Sequence, residues 1–181
     1  MLEVDERLLE DRRRRGADRW DEMWDGVLHM VPPPSDRHQE VAGELFLVLA
    51  GLAKARGLAA RYETGLFRPG VADDYRVPDQ TYARPELVTD RGVDGPADLV
   101  VGIRSPNDET DQKLPWYAAL GVREVLVVDP KTLAVELHRD GGPVGPDADG
   151  GVRSEVLGAR FESPAGGPLR ITWDGGRADI T

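Results

Sequence analysis

Apolar positions change their spacing twice in the middle of the chain. Leu99 to Ile103 and Val125 to Val128 are unbroken apolar runs, and the segment around Lys113 between them reads as a helix. Runs that apolar, separated by one helix, mark neighbouring central strands buried on both faces. Upstream, Val41, Leu45, Val48, Leu49 and Leu52 recur at the three-to-four spacing of one helical face. Ser35 or Asp36 caps that helix, with Asp36 and Gln39 at capping-box spacing, and Gly57 follows its last turn as a stop. The helix is predicted to pack on the sheet.

Ala60 to Arg68 and Arg76 to Ala83 read as two strands around a turn built from Pro69-Gly70 and Asp73-Asp74. A loop from Arg84 to Pro96 then leads to the central strand. The middle of the chain therefore orders as helix, three strands, helix, strand. At the N-terminus, residues 3 to 19 read as a helix with Val4 and Leu8 on one face, and Arg12 to Arg15 lie near its C-terminal end, where cations suit the helix dipole. Trp20 to Trp24 and Val27 to Val31 flank Asp25-Gly26, a pair that favours a type I′ hairpin turn. Pro32-Pro33-Pro34 stops the second strand, because proline has no N–H to give a ladder. After Val128, Ala134 to Arg139 is a further strand. Residues 141 to 181 read as a β-rich extension with strands at Ser154 to Leu157 and Leu169 to Trp173. The expected organisation is a single domain over 1–181 with its core at about 18–140.

A chain of 181 residues, 40% hydrophobic and 31% charged, has the balance of an ordinary soluble protein. It has no cysteine, which excludes disulfides and thiolate zinc sites. The apolar run from Leu45 to Ala53 is too short to span a bilayer, and the acidic N-terminus is the opposite of a signal peptide. A cytoplasmic protein without a membrane partner is expected. The net charge of −10 argues against tight non-specific nucleic-acid binding through bulk charge, while a local basic groove remains compatible with it. Lysine occurs only at Lys54, Lys113 and Lys131 in a chain whose other cations are arginine.

Asp79 places a carboxylate in a segment that reads as strand, where aspartate is disfavoured. Alone it is an edge or turn residue, and Lys113 alone is a solvated helix lysine. Together with the element order they suggest metal-assisted phosphodiester hydrolysis. Carboxylate oxygens hold a divalent ion, and a lysine orients water or neutralises the phosphate. His29, His38 and His138 show no metal-ligand spacing, and Trp116 and Tyr117 read as core.

The segments WDGVLHMVPPPSDRHQEVAGEL, DDYRVPDQTYA and DLVVGIRSPNDETDQKLPWYAALGVREVLVVDP resemble those of the Uma-type restriction endonucleases, within the PD-(D/E)XK nuclease superfamily. The resemblance implies an α/β fold with a restriction-endonuclease-like core of order αβββαβ and added strands at both ends. It also implies a deoxyribonuclease dependent on Mg²⁺ or Mn²⁺, with DNA as partner. A homodimer is expected with it, since cutting both strands commonly needs two sites. Pro78-Asp79 matches the first catalytic dipeptide, so Asp79 is the implied metal ligand. Lys113 matches the family's helix lysine, and His38 a histidine whose role the resemblance leaves open.

Gly102 departs from the pattern, standing where the family carries the glutamate that is the second metal ligand. Asp98 shares its strand face but lies about 13 Å away at the usual rise per residue. Arg104 occupies the slot of the superfamily lysine and suits phosphate better than proton transfer. Asp108, Glu109 and Asp111 follow in the loop and helix start, where one could reach a metal. Two functions stay open: a nuclease impaired at Gly102, or a catalytically inactive member acting as a DNA-binding or protein-interaction module.

Overall fold

The computed structural model describes residues 6–105 and 109–181. In chain order the elements are α1 (Glu6–Arg14), β1 (Glu22–Trp24), β2 (Val27–His29), α2 (Asp36–Lys54), β3 (Ala59–Tyr62), β4 (Leu66–Phe67), β5 (Tyr75–Arg76) and β6 (Gln80–Ala83). A short turn of helix at Pro85–Leu87 leads to β7 (Val88–Thr89) and β8 (Gly92–Asp94). Then come β9 (Leu99–Ile103), α3 (Thr110–Leu120), β10 (Glu124–Val128), β11 (Val135–Arg139) and β12 (Gly142–Pro143). Four strands close the chain: β13 (Val152–Ser154), β14 (Ala159–Glu162), β15 (Leu169–Trp173) and β16 (Gly176–Ile180).

The central sheet has the order β12-β11-β10-β9-β6-β3, with β9 and β10 parallel across the α3 crossover. Read along the chain, α2, β3, β6, β9, α3 and β10 give the expected αβββαβ core. Alternation on β9 sorts its side chains between two apolar clusters. Leu99, Val101 and Ile103 join Leu126 and Val128 against α2 and the C-terminal sheet. Val100 joins Val125, Val127, Trp116 and Tyr117 on the α3 side. The C-terminal strands form an antiparallel meander, β13-β14-β15-β16, whose Phe161, Leu169, Ile171 and Ile180 complete the α2-side cluster.

Several expectations change in the structure. The predicted strand pair from Ala60 to Ala83 is divided between two sheets: β3 and β6 belong to the central sheet, β4 and β5 to a second one of order β2-β1-β5-β4-β8-β7. The first strand breaks where Glu63 takes φ +45° and gives its N–H to the Asp79 carbonyl at 3.0 Å. The second breaks at Val77–Asp79, so Asp79 is not a strand residue at all. The presumed loop after Arg84 contains the β7–β8 hairpin; α1 ends at Arg14, short of the predicted residue 19, and has no buried residue, while residues 3–5 of the predicted helix lie outside the described residues. Ser35, not Asp36, caps α2, accepting the His38 N–H at 3.3 Å. Gln39 instead gives its amide to Glu63 at 2.6 Å. The Asp25-Gly26 turn has positive φ at both residues, +47° and +80°, as a type I′ hairpin requires.

The second sheet is tied to α3 by a buried polar knot. The Arg76 guanidinium lies between two indoles, 4.4 Å from the Trp24 ring centre and 4.5 Å from that of Trp116. Buried Asp74 accepts from Arg76 at 3.0 Å and from Trp116 Nε1 at 2.9 Å. Burial disfavours the Asp74 carboxylate, but these hydrogen bonds outweigh it and hold the carboxyl below its ordinary 3.8. A carboxyl lowered by folding contributes stability that is present above its unfolded value and lost as pH falls through the folded one. Thermal unfolding from pH 7 to 3 should therefore show a loss below about pH 4, and the slope should be shallower in Asp74→Asn. Equal slopes would remove Asp74 from the acid sensitivity.

Candidate active site

The β6–β9 register pairs Gln80 with Val101 and Thr81 with Val100. One step further along the same register lies Asp79, opposite Gly102. Its Oδ2 accepts the Ile103 N–H at 2.6 Å, which seats the carboxylate against the Gly102–Ile103 peptide. Its Oδ1 lies 2.6 Å from His38 Nε2, on the first turn of α2, and His38 Nδ1 lies 3.1 Å from Ser105 Oγ. A neutral ring that donates Nε2–H to the carboxylate accepts the Ser105 hydroxyl at Nδ1. Ser105, His38 and Asp79 thus form one hydrogen-bonded line across the open end of the sheet.

These residues line a cavity of about 640 Å³ between the hairpin β1–β2, the Pro32–Pro34 segment, the end of β9 and the start of α3. Lys113 enters it from α3, its Nζ donating to Glu22 Oε1 at 2.8 Å. Sequence reading missed Glu22, which is 1% exposed on β1. The available signal was that Glu22 and Trp24 share a strand face, where an indole N–H can meet an acid. That bond exists, Trp24 Nε1 to Glu22 Oε2 at 2.8 Å. His29 stacks on Trp24 with ring centres 4.0 Å apart and places Nδ1 3.2 Å from Glu109 Oε2. Glu63 also lines the cavity, held by Arg19 at 3.2 Å. Beside it, burial, with Glu63 and then Asp79 adding, pushes the Tyr62 hydroxyl up to about 12, so it remains a donor to Gln39 at 2.6 Å.

The remaining expected residues are not brought together there. Arg104 faces Asp111 and Glu136, each at 3.1 Å, outside the cavity. Asp98 lies at the far end of the strand face it shares with Gly102 and does not line the cavity. His138 sits on β11 opposite Val125, also away from it. Asp108, with the Pro106-Asn107 part of the predicted turn, lies outside the described residues.

A divalent ion of the Mg²⁺ type takes six or more oxygen ligands, with protein carboxylates among them. Among the described residues no group of three or more histidine or acid side chains is placed to hold one. Both Asp79 oxygens are engaged, Glu22 is paired with Lys113, and position 102 has no side chain. The described side chains therefore do not form a metal shell. Space for one more ligand exists, however. A Cβ at Gly102 would meet nothing closer than Thr110 Cγ2 at 3.8 Å, an ordinary contact.

The αβββαβ core is that of the restriction-endonuclease-like fold. The chain belongs to the Uma2 family, described as "Putative restriction endonuclease", whose model matches residues 7–158, most of its length. Among solved structures it is similar to the crystal structure of a putative nuclease belonging to DUF820 from Anabaena variabilis ATCC 29413. That likeness has a TM-score of 0.56 and 19% identity, covering 66% of this chain and 72% of that one. At such identity it establishes the fold. No curated protein matches the chain. The family and fold implied by the sequence are both found, and they support a nuclease-like function. No helix among the described residues is long and apolar enough to cross a membrane.

Proposed function

We propose that this chain is a DNA-cleaving nuclease impaired at its metal-binding centre, with Asp79 as the surviving acidic ligand and Lys113 as the cation that meets the phosphate. The observation that carries this reading is Gly102, which lies opposite Asp79 in the register and lines the cavity without filling it. Family membership supplies the nuclease class, and classes of this kind generally use divalent metals. With a net charge of −10, contact with DNA must rest on local cations at the cavity. A homodimer is part of the proposal, since one site cuts one strand.

Supercoiled plasmid in Mn²⁺ tests the reading. Slow nicking is expected from the unmodified chain, and Asp79→Ala should reduce it to background. Nicking that survives Asp79→Ala would belong to another site or to a contaminant. The engagement of both Asp79 oxygens favours a second reading, an inactive module that binds DNA. Its mark would be DNA binding that weakens steeply with salt, with no nicking that depends on Asp79.

A further inference from the structure

We infer that Glu22 is the positioning residue for Lys113, an inference that rests on the reading of Lys113 as a working group of this site. A lysine carries its charge on a flexible four-carbon stem, so a helix lysine needs a fixed partner to deliver the ammonium to one place. Glu22 is such a partner. It is 1% exposed, and its Oε1 accepts from Lys113 Nζ and from the Val77 N–H, each at 2.8 Å. Its Oε2 accepts from Trp24 Nε1, also at 2.8 Å. Trp24 is itself clamped, with His29 stacked on one side and the Arg76 guanidinium 4.4 Å from its ring centre.

The Val77 contact gives the arrangement its second consequence. Val77 begins the short segment that ends at Asp79, so one buried carboxylate holds both the lysine and the backbone leading to the acid. Strand β1, which lies outside the αβββαβ core, thereby sets how the two groups face each other. This supplies what a lysine placed on α3 lacks, since the strand itself does not fix its direction.

Glu22→Gln keeps the size of the side chain but turns one acceptor into a donor, which must then face either the Trp24 N–H or the Lys113 ammonium. Trp24→Phe removes a single hydrogen bond to Glu22 and keeps a ring for His29 and Arg76, so it remains informative if Glu22→Gln folds poorly. Amine-reactive labelling followed by mass spectrometry reads Lys113 directly, with Lys54 and Lys131 as internal references. We expect labelling of Lys113 to rise several-fold over both references in the two variants. In the Gly102→Glu chain, Glu22→Gln should lower kcat for plasmid nicking by roughly 10- to 100-fold, as Lys113→Met should, with KM for DNA little changed.

Unchanged Lys113 labelling in both variants would overturn the inference. So would raised labelling with undiminished nicking, where Lys113→Met lowers nicking. If Lys113→Met nicks like its parent, the reading of Lys113 as a working group fails instead, and the positioning role falls with it. The labelling result separates these two failures, because it reads the lysine without using nuclease activity.

Discussion

Gly102→Glu should nick supercoiled plasmid in Mn²⁺ on the order of 10²-fold faster than the unmodified chain, and the gain should vanish when Asp79→Ala is added. The size follows from a lower bound: losing a group that merely supports a metal ligand costs roughly 10- to 100-fold, and position 102 supplies the ligand itself. Structure favours the change at each level. Gly102 lies within β9 and pairs with Val127, so a strand backbone is already in place for any side chain. The first atom added meets only Thr110, at 3.8 Å. Asp79 faces it across the antiparallel register, one step beyond the Gln80 and Val101 pair. Two carboxylates so close repel each other until a cation joins them. Mn²⁺ should therefore raise the melting temperature of Gly102→Glu more than that of the unmodified chain. Equal nicking by the two chains would mean that position 102 is not the missing ligand.

Glu124→Ala should lower the melting temperature by roughly 6–20 °C. Glu124 is fully buried at the start of β10 and joins the central sheet to the C-terminal meander. Its Oε1 accepts from Arg139 Nε at 3.0 Å and from the Glu155 N–H at 2.9 Å. Its Oε2 accepts from Ser154 Oγ at 2.5 Å. Removing the carboxylate leaves a buried hydroxyl, a backbone N–H and part of a guanidinium without their acceptor. Breaking a buried pair of this kind costs about 3–5 kcal/mol, and a chain of this length loses about 2–4 °C per kcal/mol. Arg123→Ala, which removes the exposed Arg123–Glu155 pair, is the control and should cost about 1 kcal/mol or less. A fall under about 2 °C for Glu124→Ala would show that the two sheets are held by their apolar contacts alone.

What the sequence made visible was whatever repeats over a short distance. The α2 face announced itself through Val41, Leu45, Leu49 and Leu52, all buried, and β9 and β10 through unbroken apolar runs. Asp25-Gly26 declared its turn because few residues accept positive φ twice in succession. What stayed hidden depends on partners far along the chain. Nothing between Ala60 and Arg68 says that the strand changes sheets, since the break is fixed by the Glu63 N–H reaching the Asp79 carbonyl. The same break accounts for an aspartate in an apparent strand.

The site divides along the same line. Asp79, Lys113 and His38 were legible through a family pattern, and the structure gathers all three around one cavity. Asp98 was weighed by strand parity and Arg104 by the slot it takes in the superfamily pattern, and neither says which charges lie nearby. Arg104 finds Asp111 and Glu136 instead. Glu22 had only its spacing to Trp24 as a local mark and Glu124 had none: each is an acid at the head of a short strand, and each is held by donors from other elements.

Calorimetric titration with Mn²⁺ reads directly whether the metal centre is one carboxylate short. No saturable site is expected in the unmodified chain at micromolar Mn²⁺, one site per chain in Gly102→Glu, and loss of that site when Asp79→Ala is added. One tight Mn²⁺ site in the unmodified chain, unaffected by Gly102→Glu, would contradict that expectation.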